Sequence, residues 1–129
     1  MAFLIDTHAF LWFVAGAKQL PESVKAKIFD INEACFLSVA SLWEITIKNQ
    51  IRKLTFYISL KELFEYANRN RTDIIQISCE HHLLTLSKLL EHHSDPFDRI
   101  IVSQAISENF TLTSKAKGLK KYKIKQQWA

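Results

Sequence analysis

Short, almost wholly apolar runs alternate along this chain with longer stretches whose apolar residues recur every three or four positions. Phe3-Leu4-Ile5, Cys35-Phe36-Leu37, Ile74-Ile75-Gln76-Ile77 and Phe110-Thr111-Leu112 are too short for helices and read as buried strands. Between them, helical spacing predicts segments at about 8–15 (Leu11, Trp12, Ala15), 21–32 (Val24, Ile28, Ile31) and 38–49 (Val39, Leu42, Trp43, Ile47). Further helices are predicted at about 59–68, 80–90 (Leu83, Leu84, Leu86, Leu90) and 96–107 (Phe97, Ile100, Ile101, Ala105), with another at 115–121 and an edge strand at 122–125. Gly16 stops the first helix, and Pro21 and Pro96 open two others at the position where a missing N–H costs nothing. Strands that alternate with helices imply a parallel sheet covered on both faces and joined by right-handed crossovers. The expectation is an α/β sandwich forming one domain over residues 1–129.

The first strand ends abruptly in Asp6, where open α/β sheets place their ligands. Glu44, early in the helix after the second strand, and Asp98, in the first turn of the Pro96 helix, occupy equivalent places. In a parallel sheet these three acids can converge at one edge. Each also has a local explanation. Asp6 can cap its helix, Ser41-Leu42-Trp43-Glu44 can be a capping box, and Asp95 can be an N-cap with Asp98 three residues on. Clustered carboxylates stay ionised together only with cations nearby, and oxygen-only donors suit Mg²⁺ or Mn²⁺. Such a site can activate water for in-line attack on a phosphodiester.

Composition narrows the class without naming it. Apolar residues at 48% and charged residues at 23% fit a globular domain, and no run approaches the roughly 18 apolar residues of a membrane span. The N-terminus lacks a basic region and is interrupted by Asp6 and His8, which argues against a signal peptide and for a cytoplasmic protein without a membrane partner. Cys35 and Cys79 fit neither a disulfide framework nor a metal spacing, and both are expected to pack as reduced apolar residues. The net charge of +4 is uneven: residues 111–129 hold six lysines (115, 117, 120, 121, 123, 125) and no acid. This points to a polyanion contact near the C-terminus, or to a solvated lysine-rich face.

The stretches Leu4-Ile5-Asp6-Thr7-His8-Ala9-Phe10-Leu11-Trp12, Ser38-Val39-Ala40-Ser41-Leu42-Trp43-Glu44-Ile45 and Asp95-Pro96-Phe97-Asp98-Arg99-Ile100-Ile101-Val102-Ser103-Gln104-Ala105 carry a resemblance. With Leu112-Thr113-Ser114 to Tyr122 they cover essentially the whole length and resemble PIN-domain ribonucleases, specifically the toxin subunits of VapBC-type toxin–antitoxin pairs. The resemblance implies a PIN-like three-layer sandwich with a central parallel sheet of about five strands flanked by helices. It also implies Mg²⁺- or Mn²⁺-dependent cleavage of RNA, a cognate antitoxin and a homodimer. It assigns metal-binding and catalytic roles to Asp6, Glu44 and Asp98, and sets Thr7 and Ser114 as small hydroxyl residues beside the site. One departure stands out. The family usually has a further acid two positions after that second hydroxyl, and here Ala116 occupies the position. Two readings follow: an endoribonuclease toxin, or a weakened or inactive PIN-like module that binds RNA or protein. A phosphohydrolase on another α/β fold is disfavoured, because no Asp-x-Asp nucleophile follows the first strand.

Candidate substrate contacts are Thr7, Lys48, Arg99, Ser114, Lys115 and Lys117. Lys48 stands four residues after Glu44, so helical spacing pairs the two. His8 lies near Asp6 but is read as a surface or capping residue. His81, His82, His92 and His93 lack the spacing of a zinc site and are read as belonging to a polar loop and a helix start. Trp12, Trp43, Phe13, Phe56, Tyr57, Leu60 and Phe64 are expected chiefly in the core. In the family an antitoxin's apolar helix occupies a groove that part of this set can line.

Overall fold

A computed structural model describes residues 1–54, 57–89 and 95–128, apart from the side chain of Lys120. Strand β1 (Ala2–Ile5) leads into α1 (Thr7–Ala15), and α2 (Glu22–Phe29) returns to β2 (Ala34–Ser38). Then follow α3 (Val39–Gln50), α4 (Leu60–Arg69), β3 (Thr72–Ile75), a π-helical turn at Cys79–Leu83, α5 (Leu84–Ser87) and α6 (Pro96–Glu108). The chain closes with β4 (Thr111–Thr113), a 3₁₀ turn at Lys117–Lys121 and β5 (Lys125–Gln127). The five strands pair in parallel in the order β3-β2-β1-β4-β5. The expected α/β sandwich with a five-stranded parallel sheet is what is found.

Alternation along β1 divides the core in two. Phe3 and Ile5 pack with Phe10, Phe13, Val24, Ile28, Leu42, Ile45 and Leu63 on one face. Leu4, in register with Phe36 and Leu112, packs with Ile101, Val102 and Ala105 of α6 on the other. Strands covered on both faces must be apolar throughout, which is why they read as continuous runs. The order 3-2-1-4-5 places the topological switch between β1 and β4, and a crevice opens beyond the carboxyl ends of these two strands.

Local chemistry sets the element ends. Asp6 Oδ1 accepts the Ala9 N–H at 2.8 Å, and Ser38 Oγ accepts the Ala40 N–H at 3.0 Å. Asp95 Oδ1 accepts from Phe97 (2.8 Å) and Asp98 (3.1 Å), as expected of an N-cap before Pro96. Gly16 ends α1 at φ +64°, letting the Ala17 N–H reach the Trp12 carbonyl at 2.9 Å.

Several expectations need correction. The helix predicted over 80–90 is instead a wide turn followed by the short α5, because His82 turns inward and is only 4% exposed, leaving Leu83 and Leu84 outside. Leu90, His92, His93 and Phe56 lie outside the described residues. Helix α2 stops at Phe29, so Ile31 is exposed, and β3 begins two residues earlier than its apolar run. The segment after Ala116 is a 3₁₀ turn, and the edge strand lies at 125–127. The stripe of α3 is Leu42 and Ile45, while Trp43 is 57% exposed. Tyr57, Leu60 and Phe64 are exposed as well, Phe13 is buried and Trp12 is partly buried. Of the cysteines, Cys35 is a buried core residue but Cys79 is exposed; both are free. No helix among the described residues is long and apolar enough to cross a membrane.

Candidate metal and nucleic-acid site

At the carboxyl end of β1 the main chain is pinned from both sides. The Asp6 N–H donates to the Thr113 carbonyl of β4 at 3.1 Å, and the Ser114 N–H donates to the Gln127 carbonyl of β5 at 3.2 Å. These bonds set the Asp6 and Ser114 side chains together, and the Ser114 hydroxyl bonds the Asp6 carboxylate. Ser114 Oγ also accepts the Ala116 N–H at 3.1 Å. Gln126 Nε2 donates to the carbonyls of both Ser114 and Ala116, each at 2.9 Å, so β5 holds the turn on which the hydroxyl sits.

Glu44 is not a cap. Helix α3 starts at Val39 behind Ser38, which puts Glu44 in the second turn and removes the capping-box explanation. Its side chain is almost fully buried, with Oε1 2.8 Å from Thr7 Oγ1 and Oε2 2.6 Å from Lys48 Nζ. Thr7 Oγ1 is also 2.9 Å from Ser41 Oγ. A hydroxyl carries one proton; the carboxylate can only accept it, so Ser41 completes the chain by donating to Thr7. The pairing of Lys48 with Glu44 expected from helical spacing is present. A buried carboxylate needs such partners, and here they come from two helices.

Asp6 shows the cost of the arrangement. Burial pushes its carboxyl above the usual carboxylate range, and the charge of Asp98 raises it further, while Ser114, the Ala9 N–H and His8 oppose the rise. Asp6 and Asp98 are thus within electrostatic reach of each other, although 92 residues separate them in sequence. Asp98 is partly buried on the first turn of α6. A cleft of about 220 Å³ opens beside Asp6, walled by His8, Trp12, Lys115 and Ala116.

The donor chemistry fits a hard divalent cation. Asp6 and Asp98 supply oxygen donors around a desolvated carboxylate whose charge a cation would neutralise, and Mg²⁺ commonly uses one or two carboxylates together with substrate oxygens. Glu44 stands differently, its two oxygens engaged by Thr7 and Lys48. Among the described residues no three His, Cys, Asp or Glu side chains form a ready-made cage.

Other predicted site residues fall in three places. Thr7 and Ser114 bond the acids directly, Lys115 lines the cleft, and Lys117 is exposed at the start of the 3₁₀ turn. Arg99 Nη2 lies 3.4 Å from the Leu89 carbonyl. His82 lies at a helix start, in the turn capped by Ser78, but is buried rather than on a polar surface. Its Nδ1 accepts the Ser78 N–H at 2.9 Å, and its Nε2 lies 3.0 Å from Glu108 Oε1. Sequence reasoning missed Ser41 and Gln126, for which no pattern was available, and the cleft role of Trp12, which the four-residue spacing from His8 does signal.

Comparison with known proteins agrees with the fold. VapBC2 from Rickettsia felis bound to a DNA fragment from its promoter is similar in fold, with a TM-score of 0.72 at 18% identity and full coverage of both chains. VapBC-1 from nontypeable Haemophilus influenzae follows with 0.67 at 13% identity, covering 98% of this chain and 97% of that one. A toxin–antitoxin complex from Klebsiella pneumoniae gives 0.60 at 17% identity, covering 90% and 88%. Among curated proteins none matches the sequence. The sequence model of the PIN domain matches residues 3–125, nearly the whole chain, and the chain therefore belongs to the PIN domain family.

Proposed function

We propose that this protein is a divalent-metal-dependent endoribonuclease acting as the toxin of a toxin–antitoxin pair. The observation that carries the reading is the desolvated Asp6 carboxylate at the switch point of the sheet, with Asp98 in electrostatic reach. A domain with no use for that charge would gain stability from an amide at Asp6, which caps the helix equally well. Membership of the PIN family and a fold shared with three toxin–antitoxin complexes support the same conclusion.

In this reading Asp6 and Asp98 hold Mg²⁺ or Mn²⁺, which when bound lowers the pKa of a water and neutralises charge developing on the phosphate. Glu44, buried and held by Thr7 and Lys48, is the third carboxylate assigned to the site. Ser114 and the Ala9 N–H restrain the Asp6 carboxylate and fix its orientation. Lys115 and Lys117 grip the RNA backbone from the strand-end side. A cognate antitoxin and a second copy of the chain are the protein partners, with Tyr57, Leu60 and Phe64 as exposed apolar surface to receive them, and the RNA target places the protein in the cytoplasm.

The test is cleavage of a structured RNA by the purified chain in Mn²⁺, Mg²⁺ or EDTA, with Asp98→Asn purified identically. Cutting that needs metal and is lost in the variant is expected; cutting that survives both EDTA and the variant would overturn the reading. A second reading, a binding module without catalysis, is favoured by Ala116, which puts a methyl beside Asp6 where the family usually has an acid. Silence of the native chain followed by activity in Ala116→Asp would show a PIN site disabled at one ligand, and silence of both across several RNAs would favour the binding module.

A further inference from the structure

We propose that the cleft beside Asp6 is a nucleobase subsite, in which the Trp12 ring stacks an unpaired RNA base next to the phosphate held at the acids. The choice of RNA as ligand rests on the ribonuclease reading above; the subsite itself rests on the geometry of the cleft.

Trp12 lies one turn after His8 on α1, so both rings project from the same helical face toward the cleft. The indole is partly buried and packs against the apolar core cluster, with Trp128 meeting it edge-on at 5.8 Å and 60°. A ring clamped in this way loses little freedom when a ligand stacks on it. The imidazole of His8 lies 6.0 Å away at 52°, and Lys115 Nζ lies 5.9 Å from the indole centroid. Aromatic surface interleaved with cations is how proteins hold single-stranded nucleic acid, because every base has a π face and every nucleotide a phosphate.

Space and charge agree with that ligand. About 220 Å³ is room for several waters at roughly 30 Å³ each, enough for one planar base but not for a duplex. Ala116 contributes only a methyl to the wall, and the exposed Lys115 ammonium sits over a ring that holds it weakly. A phosphate outcompetes the ring for that ammonium, so Lys115 moves onto the backbone and the indole face becomes free for the base. Asp6 lines the same cleft, so a base on the indole would sit beside a phosphate at the acids.

Binding separates this proposal from catalysis. The full chain, Trp12→Phe and Trp12→Leu are titrated against a fluorescein-labelled single-stranded RNA in EDTA at low ionic strength, with the RNA checked intact afterwards. Both substitutions keep an apolar side chain against the core, but only phenylalanine keeps a π face. Expected are binding by Trp12→Phe within about threefold of the native chain and weakening of about tenfold or more in Trp12→Leu. A scan of abasic sites through the RNA adds a readout that a folding defect cannot mimic. The native chain is expected to lose affinity at one position, and Trp12→Leu to be indifferent there. If Trp12→Leu misfolds, the scan on the native chain decides, and no sensitive position overturns the subsite. Equal binding by Trp12→Leu, equal binding of duplex RNA, or no binding by the native chain also overturns it. The metal-dependent cleavage assay with Asp98→Asn reads the nuclease function independently, so either conclusion can fall while the other stands.

Discussion

The two ends of α6 both carry polar groups into the protein, and they treat them in opposite ways. At the carboxyl end, Glu108 meets the buried His82 at 3.0 Å, the imidazole takes the Ser78 N–H, and Gln104 Nε2 reaches the Gln76 carbonyl at 3.3 Å. Donors face acceptors there except at Gln104 Oε1, which is buried without a partner among the described residues, and the network ties the π-helical turn to α6. At the amino end, Asp98 is placed where its charge raises the carboxyl of Asp6, a group already desolvated. The first arrangement sets opposite partners together, and the second holds the Asp6 carboxylate against both burial and a like charge. Polar burial that satisfies itself is structural, whereas burial that sets like charges together is kept for a ligand.

The strongest way to break this comparison is Asp6→Asn. Asparagine caps a helix as well as aspartate, so the Ala9 N–H keeps its acceptor while the charge is removed. Cleavage should fall about a thousandfold, yet the metal-free protein should melt higher, its stability raised by about 1 kcal/mol. The sign follows from the raised carboxyl. The native state holds this proton more tightly than the unfolded chain, so native stability is intact below the ordinary carboxylate range and declines as pH rises through the folded value. The advantage of Asp6→Asn should therefore vanish in acid. A melting temperature that falls at neutral pH would make Asp6 a structural cap and end the contrast.

The opposite outcome is expected at the other end. His82→Ala strands the Ser78 N–H and Glu108, and should cost about 2–3 kcal/mol, or roughly 5–10 °C in thermal melting. Cleavage per folded molecule should stay within about twofold; a larger loss would couple the two ends. Gln126→Ala sharpens the picture between these extremes. Releasing the Ser114 and Ala116 carbonyls should slow cleavage about tenfold and lower stability by about 1 kcal/mol. The smallest effect concerns the thiols. Burial and the nearby Glu33 and Asp30 push the Cys35 thiol up to about 11, so at pH 8 a thiol reagent should modify only the exposed Cys79. Two modified thiols in the native protein would show that the β2 end of the core opens readily.

Much of the candidate site was legible because it lies in short covalent contexts. Asp6 ends an apolar run, Asp98 follows an Asp-Pro helix start, and Glu44 stands four residues before the lysine that pairs with it. Where the reading failed, the competing force was tertiary. Residues 80–90 have the composition of a helix, but burying one histidine against Glu108 and Ser78 outweighs that preference and leaves Leu83 and Leu84 in solvent. Trp43 lies on a helical stripe and still faces outward, edge-on to Phe97, because the inner side of α3 is already filled by Leu42 and Ile45.

The sequence by itself determined the layer architecture and the three acids, since hydrophobic period and helix-start chemistry are local properties that each segment carries alone. Only the tertiary structure decided what surrounds those acids. The order β3-β2-β1-β4-β5 brings Ser114 to Asp6, Thr7 to Glu44, and Trp12 between Trp128 and Lys115, contacts between segments separated by up to more than a hundred residues. Such contacts depend on which strands become neighbours, and strand order is a property of the whole packed sheet rather than of any strand within it.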